Sequence, residues 1–189
     1  MFKRLLFFLL VIVLLAGCDS DTSLVATKTE QNERDNIPVL LRKPEQWGDA
    51  PNFMALRVGG GDFQLSSLKG KVILINFWSV DCPACKVQIS GLTELYKKYA
   101  REDLEIIGVC LDRETIVKRF TNVISIDYVL VLLNQDIMNK YGRDLRFLPT
   151  TFVIDRQGNI AEKYAMAEPV AIFERDIRQL LQRTVENEK

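Results

Sequence analysis

The sequence predicts an α/β fold in which a mixed central sheet is flanked by helices. Short, continuously apolar segments typical of buried strands alternate with segments whose apolar residues recur every three or four positions, as in amphipathic helices. A hairpin pattern precedes this alternation, and a second strand-turn-strand pattern followed by a helix ends it. The chain has 189 residues, of which 48% are hydrophobic, and this is enough for the core of one domain.

The first 17 residues are predicted to be a signal peptide. A short basic start, MFKR, precedes an apolar run of twelve residues from Leu5 to Ala16, which is shorter than the roughly 20 residues that span a bilayer. The run ends in Leu-Ala-Gly-Cys, which resembles the lipobox of bacterial lipoproteins. This resemblance implies cleavage before Cys18 and lipidation of its thiol, so that several acyl chains anchor the protein in a membrane. An ordinary signal peptide with a chance cysteine is the alternative.

Residues 18–50 are predicted to be the lipidated cysteine and a flexible tether, and residues 51–185 to be the folded domain. Positions 19–36 are polar and poor in hydrophobic residues, which favours a disordered linker. The domain is predicted to begin with a β-hairpin over residues 52–64, because Gly59 to Gly61 supply the positive φ angles of a tight turn.

The next two segments are predicted to form the centre of the fold. Residues 71–78, KVILINFW, are continuously apolar and rich in β-branched side chains, which predicts a strand buried on both faces. Residues 83–100 have a helical period, and Gly91 within them indicates a kink or a close packing contact. The inward-facing positions of this helix are Cys85, Ile89, Leu92, Tyr96 and Tyr99.

The remaining elements follow the same alternation. Strands are predicted at 104–111 and 128–133, each followed by a short helix, and residues 150–165 read as a strand, a turn and a strand. A last helix begins near Pro169, which suits a first helical turn. Its apolar stripe consists of Val170, Phe173, Ile177, Leu180 and Leu181.

The composition excludes several classes of function. The chain contains no histidine, which excludes Ser-His and Cys-His nucleophilic mechanisms and imidazole metal ligands. Lysine plus arginine equals aspartate plus glutamate, 25 each, so no basic excess indicates a nucleic-acid partner. The chemistry must therefore use sulfur, carboxylates, amines, hydroxyls or a cofactor, and of these a cofactor is not predicted.

Cys82 and Cys85 form a Cys-Pro-Ala-Cys motif between a buried strand and the start of a helix. Free backbone N–H groups and the helix dipole favour an anion there, and such contexts lower the pKa of a cysteine thiol from about 8.5 to roughly 3.5–7.5. Cys85 aligns with the apolar stripe and is predicted to be buried, whereas Cys82 precedes the helix and is predicted to be exposed. We therefore expect Cys82 to attack a disulfide and Cys85 to resolve the mixed disulfide.

Two other interpretations of the cysteines remain. A structural disulfide between these positions would close almost no loop, so it would stabilise the fold little. A zinc site would need two more ligands, for which Cys110 and carboxylates are the candidates, and no metal site is predicted. Cys110 follows a buried apolar run and is predicted to be a core residue, with a secondary redox role as the alternative.

The segment LKGKVILINFWSVDCPAC and, about 65 residues later, FLPTTFVIDRQGNI resemble the thioredoxin-like TlpA/ResA family of membrane-tethered thiol-disulfide oxidoreductases. The resemblance covers roughly residues 50–183 and implies a thioredoxin-like fold with an N-terminal β-hairpin extension. It also implies that Pro149 is cis and faces the active-site disulfide, and that the backbone at Leu148 pairs with an extended substrate. Trp78, in the matching Asn-Phe-Trp segment, is predicted to contact the substrate as well.

The resemblance also implies a function and partners. It implies disulfide exchange on exported proteins at the extracytoplasmic face of a bacterial membrane, in the reducing direction, with apocytochrome c thiols as a typical target. A membrane thiol-transport protein of the CcdA/DsbD type would supply electrons. The alternatives are a thiol peroxidase and a non-catalytic binding module. Peroxiredoxins have a serine or threonine three residues before the reactive cysteine, as Ser79 precedes Cys82 here, but they have a proline at the position of Ile75.

Three positions depart from the family pattern. Asp81 replaces the tryptophan before the first cysteine, where its charge should oppose formation of the Cys82 thiolate. Asp81 is predicted either to relay a proton or to be a surface or capping acid. Gln88 stands where many members carry a glutamate, and Asn76 stands where thioredoxin has a buried aspartate. Two usual proton acceptors for the resolving thiol are therefore missing.

Overall fold

The computed structural model describes residues 47–186, with side chains up to residue 183. The predicted signal peptide, the lipidation site Cys18 and residues 18–46 of the predicted tether lie outside the described residues. No helix in the described part of the chain is both long enough and apolar enough to cross a membrane.

The described chain folds into seven strands and four α-helices. The strands are β1 (Met54–Leu56), β2 (Asp62–Gln64), β3 (Val72–Trp78), β4 (Leu104–Cys110), β5 (Val129–Leu132), β6 (Thr150–Ile154) and β7 (Ile160–Tyr164). The helices are α1 (Pro83–Tyr99), α2 (Glu114–Thr121), α3 (Gln135–Tyr141) and α4 (Val170–Glu186). These elements confirm the predicted hairpin and the predicted alternation of strands and helices.

The central sheet has the strand order β5-β4-β3-β6-β7. Strand β3 pairs parallel with β4 and antiparallel with β6, so the predicted mixed sheet is confirmed. All seven residues of β3 are buried, as the unbroken apolar segment predicted. The first helix starts directly above this central strand, which brings the Cys-Pro-Ala-Cys motif to the middle of one end of the sheet.

Two apolar layers cover the sheet. On one face, α1, α2 and α4 bury residues such as Ile89, Val117 and Phe173 against β3 and β4. On the other face, the β1–β2 hairpin and α3 bury Phe53, Phe63 and Tyr141 against the same strands. The hairpin is therefore part of the core.

The N-terminal extension also covers the two edges of the sheet. After β1, the Val58 N–H donates to the Leu130 carbonyl of edge strand β5, at 2.9 Å. Before β1, the Ala50 N–H donates to the Gly158 carbonyl at 2.9 Å, and the Ile160 N–H donates to the Gly48 carbonyl at 3.0 Å. The folded domain thus begins at least three residues earlier than predicted, because Gly48 to Ala50 pair with the turn before β7.

Gly91 permits close packing of α1 against α4. A Cβ atom placed on Gly91 would overlap Cγ2 of Val170 and lie 3.3 Å from Val170 Cβ. Since a short β-branched side chain cannot turn away from this contact, glycine is the residue that fits. The mid-helix glycine therefore marks a packing contact.

This contact predicts that Gly91→Ala has opposite effects in two backgrounds. In the wild-type protein, overlap with Val170 should outweigh the better helix propensity of alanine and lower the free energy of unfolding by about 1 kcal/mol. In a Val170→Ala background, Gly91→Ala should instead raise it by about 0.5 kcal/mol. Urea unfolding of the four proteins checks this, and the same sign in both backgrounds would contradict the packing argument.

Candidate functional site

Cys82 and Cys85 are joined by a disulfide at the N-terminus of α1, with their Cα atoms 5.2 Å apart. Cys82 is the N-cap residue, and Pro83 occupies the first helical position. An N–H group at that position would have no partner within the helix, so the proline costs no hydrogen bond. The Cys85 N–H donates to Cys82 Sγ at 3.2 Å. The sulfur of Cys82 therefore takes the place that a serine or aspartate oxygen takes at other helix N-termini, where negative charge is favoured.

The two sulfurs differ in access, as the sequence predicted. Cys85 is 0% exposed and packs with Ile89 and Leu92 in the core, whereas Cys82 is only partly buried. An external disulfide can reach Cys82 from solvent, whereas the fully buried Cys85 is closed to it. This asymmetry suits Cys82 as the attacking sulfur and Cys85 as the resolving one.

The loop before β6 faces this disulfide. The Leu148–Pro149 peptide bond is cis, as the resemblance implied, and the Leu148 carbonyl oxygen lies 3.8 Å from Cys82 Sγ. The Thr150 hydroxyl donates to the Phe147 carbonyl at 2.7 Å, and this bond stabilises the turn that contains Leu148 and Pro149. Leu148 and Pro149 thus stand beside Cys82; their contact with an incoming chain stays a prediction.

Asp112, which the sequence analysis missed, fixes the segment that leads into Cys82. Its Oδ2 accepts a hydrogen bond of 2.7 Å from the Val80 N–H, across 32 residues of sequence. Asp112 follows the carboxyl end of β4, next to the carboxyl end of β3, and the Leu111 N–H donates to the Trp78 carbonyl at 3.0 Å. The sequence did contain a signal for Asp112. It is a polar residue directly after β4, and β4 was predicted as a buried strand like β3, which leads to the cysteines.

A cluster of amide and hydroxyl groups lies one helical turn below Cys85. Gln88 Nε2 and Asn76 Nδ2 both donate to Thr151 Oγ1, at 2.8 and 3.0 Å. All three side chains are buried, and Asn76 Oδ1 has no hydrogen-bond partner among the described residues. We call Asn76, Gln88 and Thr151 the amide cluster. No member of it titrates, so it offers hydrogen bonds and no carboxylate at the positions where the family resemblance led us to expect acids.

The amide cluster also fixes the loop between β7 and α4. Gln88 Oε1 accepts a hydrogen bond of 3.3 Å from the Glu168 N–H. One side chain of α1 therefore bonds both the strand that follows the cis-proline and the loop that precedes the last helix. Thr151 could not be identified from sequence, because its role depends on the pairing of Asn76 with Thr151 across β3 and β6.

Two predicted site residues lie differently from expectation. The prediction that Trp78 contacts the substrate is wrong, because its side chain is 0% exposed. Its ring packs 5.4 Å from that of Phe120, between the sheet and α2. Asp81 is exposed at the surface beside Cys82. Its position agrees with either of its two predicted roles, and the proton relay stays a prediction.

Cys110 is a core residue. It is fully buried at the end of β4, and its thiol lies 3.5 Å from Asp112 Oδ2. Burial raises the pKa of the Cys110 thiol to about 12, so it stays protonated and unreactive at neutral pH. Within residues 47–186, no three cysteine, aspartate or glutamate side chains come together as metal ligands.

The amide cluster predicts that Gln88→Glu changes the pH dependence of disulfide exchange. The new carboxyl would lie one helical turn from Cys85 in a buried site, where its pKa should rise above the usual 4.3 or so. Because only its ionised form accepts a proton, the rate of mixed-disulfide resolution should gain an additional inflection that the wild type lacks. A pH–rate profile of resolution by Cys85 measures this.

Gln88→Leu is the matched control, since it removes the amide without adding a titrating group. It should lose about 1–3 kcal/mol of stability through the bonds lost from Thr151 and Glu168, yet keep the wild-type shape of the profile. A Gln88→Glu profile that superimposes on the wild-type profile would contradict a link between this position and the Cys85 proton.

Comparisons with known proteins agree with the geometry. The sequence model of the AhpC/TSA family matches residues 48–163. Thiol-disulfide oxidoreductase ResA of Bacillus thuringiensis strain Al Hakam is 36% identical over 117 residues, which cover 61% of this chain. The match spans 66% of the length of that ResA protein, slightly less than two thirds. ResA of Bacillus thuringiensis subsp. konkukian is 30% identical over 163 residues, covering 85% of this chain and 87% of that protein.

A solved structure supports the same assignment. A thioredoxin-family thiol:disulfide interchange protein from Chlorobium tepidum superimposes with a TM-score of 0.67 and 26% identity, covering 72% of this chain and 97% of that one. The family match begins at Gly48, where the described domain begins to pair with β7. The chain therefore belongs to the AhpC/TSA family and, within it, to the ResA/TlpA-like, thioredoxin-fold thiol-disulfide oxidoreductases.

Proposed function

We propose that this protein reduces disulfides of exported polypeptides at the extracytoplasmic face of a bacterial membrane, to which a lipid on Cys18 tethers it. The observation that carries the proposal is the disulfide between an accessible Cys82 and a buried Cys85 at the start of α1. Apocytochrome c, whose cysteines must be reduced before haem is attached, is the substrate class that we favour.

The proposed reaction has two exchanges. The Cys82 thiolate attacks a sulfur of the substrate disulfide; a bond forms between Cys82 and that sulfur, and the other substrate sulfur leaves and takes up a proton. The Cys85 thiolate then attacks Cys82 Sγ, closes the disulfide and releases the second substrate thiolate. Two electrons pass from the protein to the substrate, so a dithiol donor must reduce Cys82 and Cys85 again.

The amide cluster and Asp112 position both cysteines for these steps. Asp112 fixes the segment before Cys82, and Gln88 fixes the helical turn after Cys85. Each exchange needs three sulfur atoms close to a line, so small shifts of either cysteine slow the reaction. These contacts hold the sulfurs in place from two sides.

The proposed location depends on the sequence before the domain. The twelve-residue apolar run and Cys18 suit a lipoprotein signal, and the polar residues 19–36 would reach roughly 20–25 Å as a random coil. A domain held this close to the bilayer could meet a membrane thiol-transport protein of the CcdA/DsbD type, which we propose as the dithiol donor. Direction follows from the reduction potentials of this protein and its partners.

Trapping with Cys85→Ala tests the proposal. Without the resolving thiol, Cys82 should stay bonded to its substrates, and non-reducing electrophoresis with mass spectrometry of cells expressing the variant should identify exported polypeptides bound to Cys82. The adducts should sediment with membranes, and an additional Cys18→Ala change should move them to the soluble fraction.

Two matched controls accompany the trap. Cys82→Ala should capture nothing, and Cys85→Ala combined with Cys110→Ala should give the same adducts as Cys85→Ala alone. Absence of adducts, or equal capture by Cys82→Ala, would contradict the proposed reaction. Adducts that stay with membranes despite Cys18→Ala would contradict the lipid tether. Peroxide consumption with a thiol donor, assayed on the same protein, would favour the alternative of a thiol peroxidase.

A further inference from the structure

We propose that Lys163 is a positioning residue for disulfide exchange, which holds the cis-proline loop against β7 through an ion pair with Asp144. Trp47 covers this ion pair from the N-terminal extension, and we call Trp47, Asp144 and Lys163 the loop clamp. Lys163 lies two strands away from β3, which leads to the cysteines, so it would act on the reaction only through the loop. The inference rests on the proposed function in one respect, since it takes a polypeptide as the substrate that pairs with Leu148.

The ion pair of the loop clamp is sheltered from solvent. Lys163 belongs to the edge strand β7 and lies opposite Phe152 of β6. Its Nζ donates to Asp144 Oδ1, and the side chain of Lys163 is only 14% exposed. Water and salt screen such a pair less than they screen a pair of exposed side chains. The pair can therefore hold two segments in a fixed relation.

The segment that Asp144 holds leads directly to the disulfide. Asp144 ends the 3-10 turn Gly142–Asp144, and Leu148 follows four residues later, at the cis peptide bond. The bond from the Thr150 hydroxyl to the Phe147 carbonyl fixes the far end of this loop next to β6. The ion pair fixes its near end. A shift at Asp144 would therefore move the Leu148 backbone, whose carbonyl oxygen lies 3.8 Å from Cys82 Sγ.

Two aromatic rings surround the Lys163 ammonium group. Its Nζ lies 5.3 Å from the ring centroid of Trp47 and 5.8 Å from that of Phe152. A cation within about 6 Å of a ring centroid is attracted to the face of the ring, most strongly to that of tryptophan. The bond from the Ile160 N–H to the Gly48 carbonyl holds Trp47 beside β7. The N-terminal extension thus supports the cis-proline loop as well as the core.

Quenched-flow oxidation of the reduced protein by two disulfides tests the inference. One is a peptide with an intramolecular disulfide, which is long enough to pair with Leu148; the other is Ellman's reagent, which is not. Lys163→Ala should raise the half-saturating peptide concentration about fivefold and change the limiting rate less than about twofold, because the displaced loop binds the peptide less well. The rate constant with Ellman's reagent should stay within about twofold of wild type. Asp144→Asn should have the same effect, and combining the two changes should add little.

Two further variants separate positioning from a general loss of structure. Lys163→Arg keeps the positive charge and its attraction to Trp47, so it should return the half-saturating peptide concentration to within about twofold of wild type. Arg156→Ala is the matched control, because Arg156 is 15% exposed and pairs with Asp103 at the opposite end of the sheet. It should leave the half-saturating peptide concentration unchanged.

An unchanged peptide concentration in Lys163→Ala, equal slowing with both disulfides, or an equal effect of Arg156→Ala would overturn the inference. Amide hydrogen exchange from Arg146 to Thr151 is a second measurement, which needs no substrate. It should be at least about threefold faster in Lys163→Ala than in wild type, and unchanged exchange would overturn the inference. A wild-type protein that reacts with Ellman's reagent but not with the peptide would contradict the proposed function, and hydrogen exchange would still decide the role of Lys163.

Discussion

The hydrogen bond from the Cys85 N–H to Cys82 Sγ, at the point where α1 begins, is the interaction on which the site depends. It places the sulfur of Cys82 at the helix N-terminus, where backbone N–H groups and the dipole stabilise negative charge. The helix begins there because β3 ends at Trp78 and Pro83 admits only an N-terminal position. The same turn directs Cys85 into the core, so the asymmetry of the two sulfurs follows from one local geometry.

The rest of the fold keeps this junction in place. Strand β3 is central and pairs with a strand on each side, so its end cannot move unless the neighbouring strands move with it. Asp112 ties the following segment to β4, and Thr151 ties α1 to β6 through Gln88. The cis-proline loop and the loop before α4 are thereby attached to the same helix. A partner at Cys82 would meet a surface assembled from three segments that are bonded to one another.

The sequence predicted what depends on local pattern. The buried strand, the helix after it, the glycine hairpin and the different exposure of the two cysteines each follow from periodicity or residue type over a few positions. Trp78 was misjudged because the strand stays buried on both faces to its last residue. Asp112 and Thr151 were missed because their partners lie 32 and 63 or more residues away, and only sheet register brings them together. The absence of acids at Asn76 and Gln88 was visible in the sequence, but their shared hydroxyl partner was not.

Alkylation of the reduced protein tests the asymmetry of the sulfurs most directly. With limiting iodoacetamide at pH 7 and peptide mapping by mass spectrometry, Cys82 should react at least about tenfold faster than Cys85, because only Cys82 is accessible and lies at the helix N-terminus. Cys110, whose pKa burial raises to about 12, should react only after unfolding. Equal rates for Cys82 and Cys85, or faster reaction of Cys85, would contradict this account.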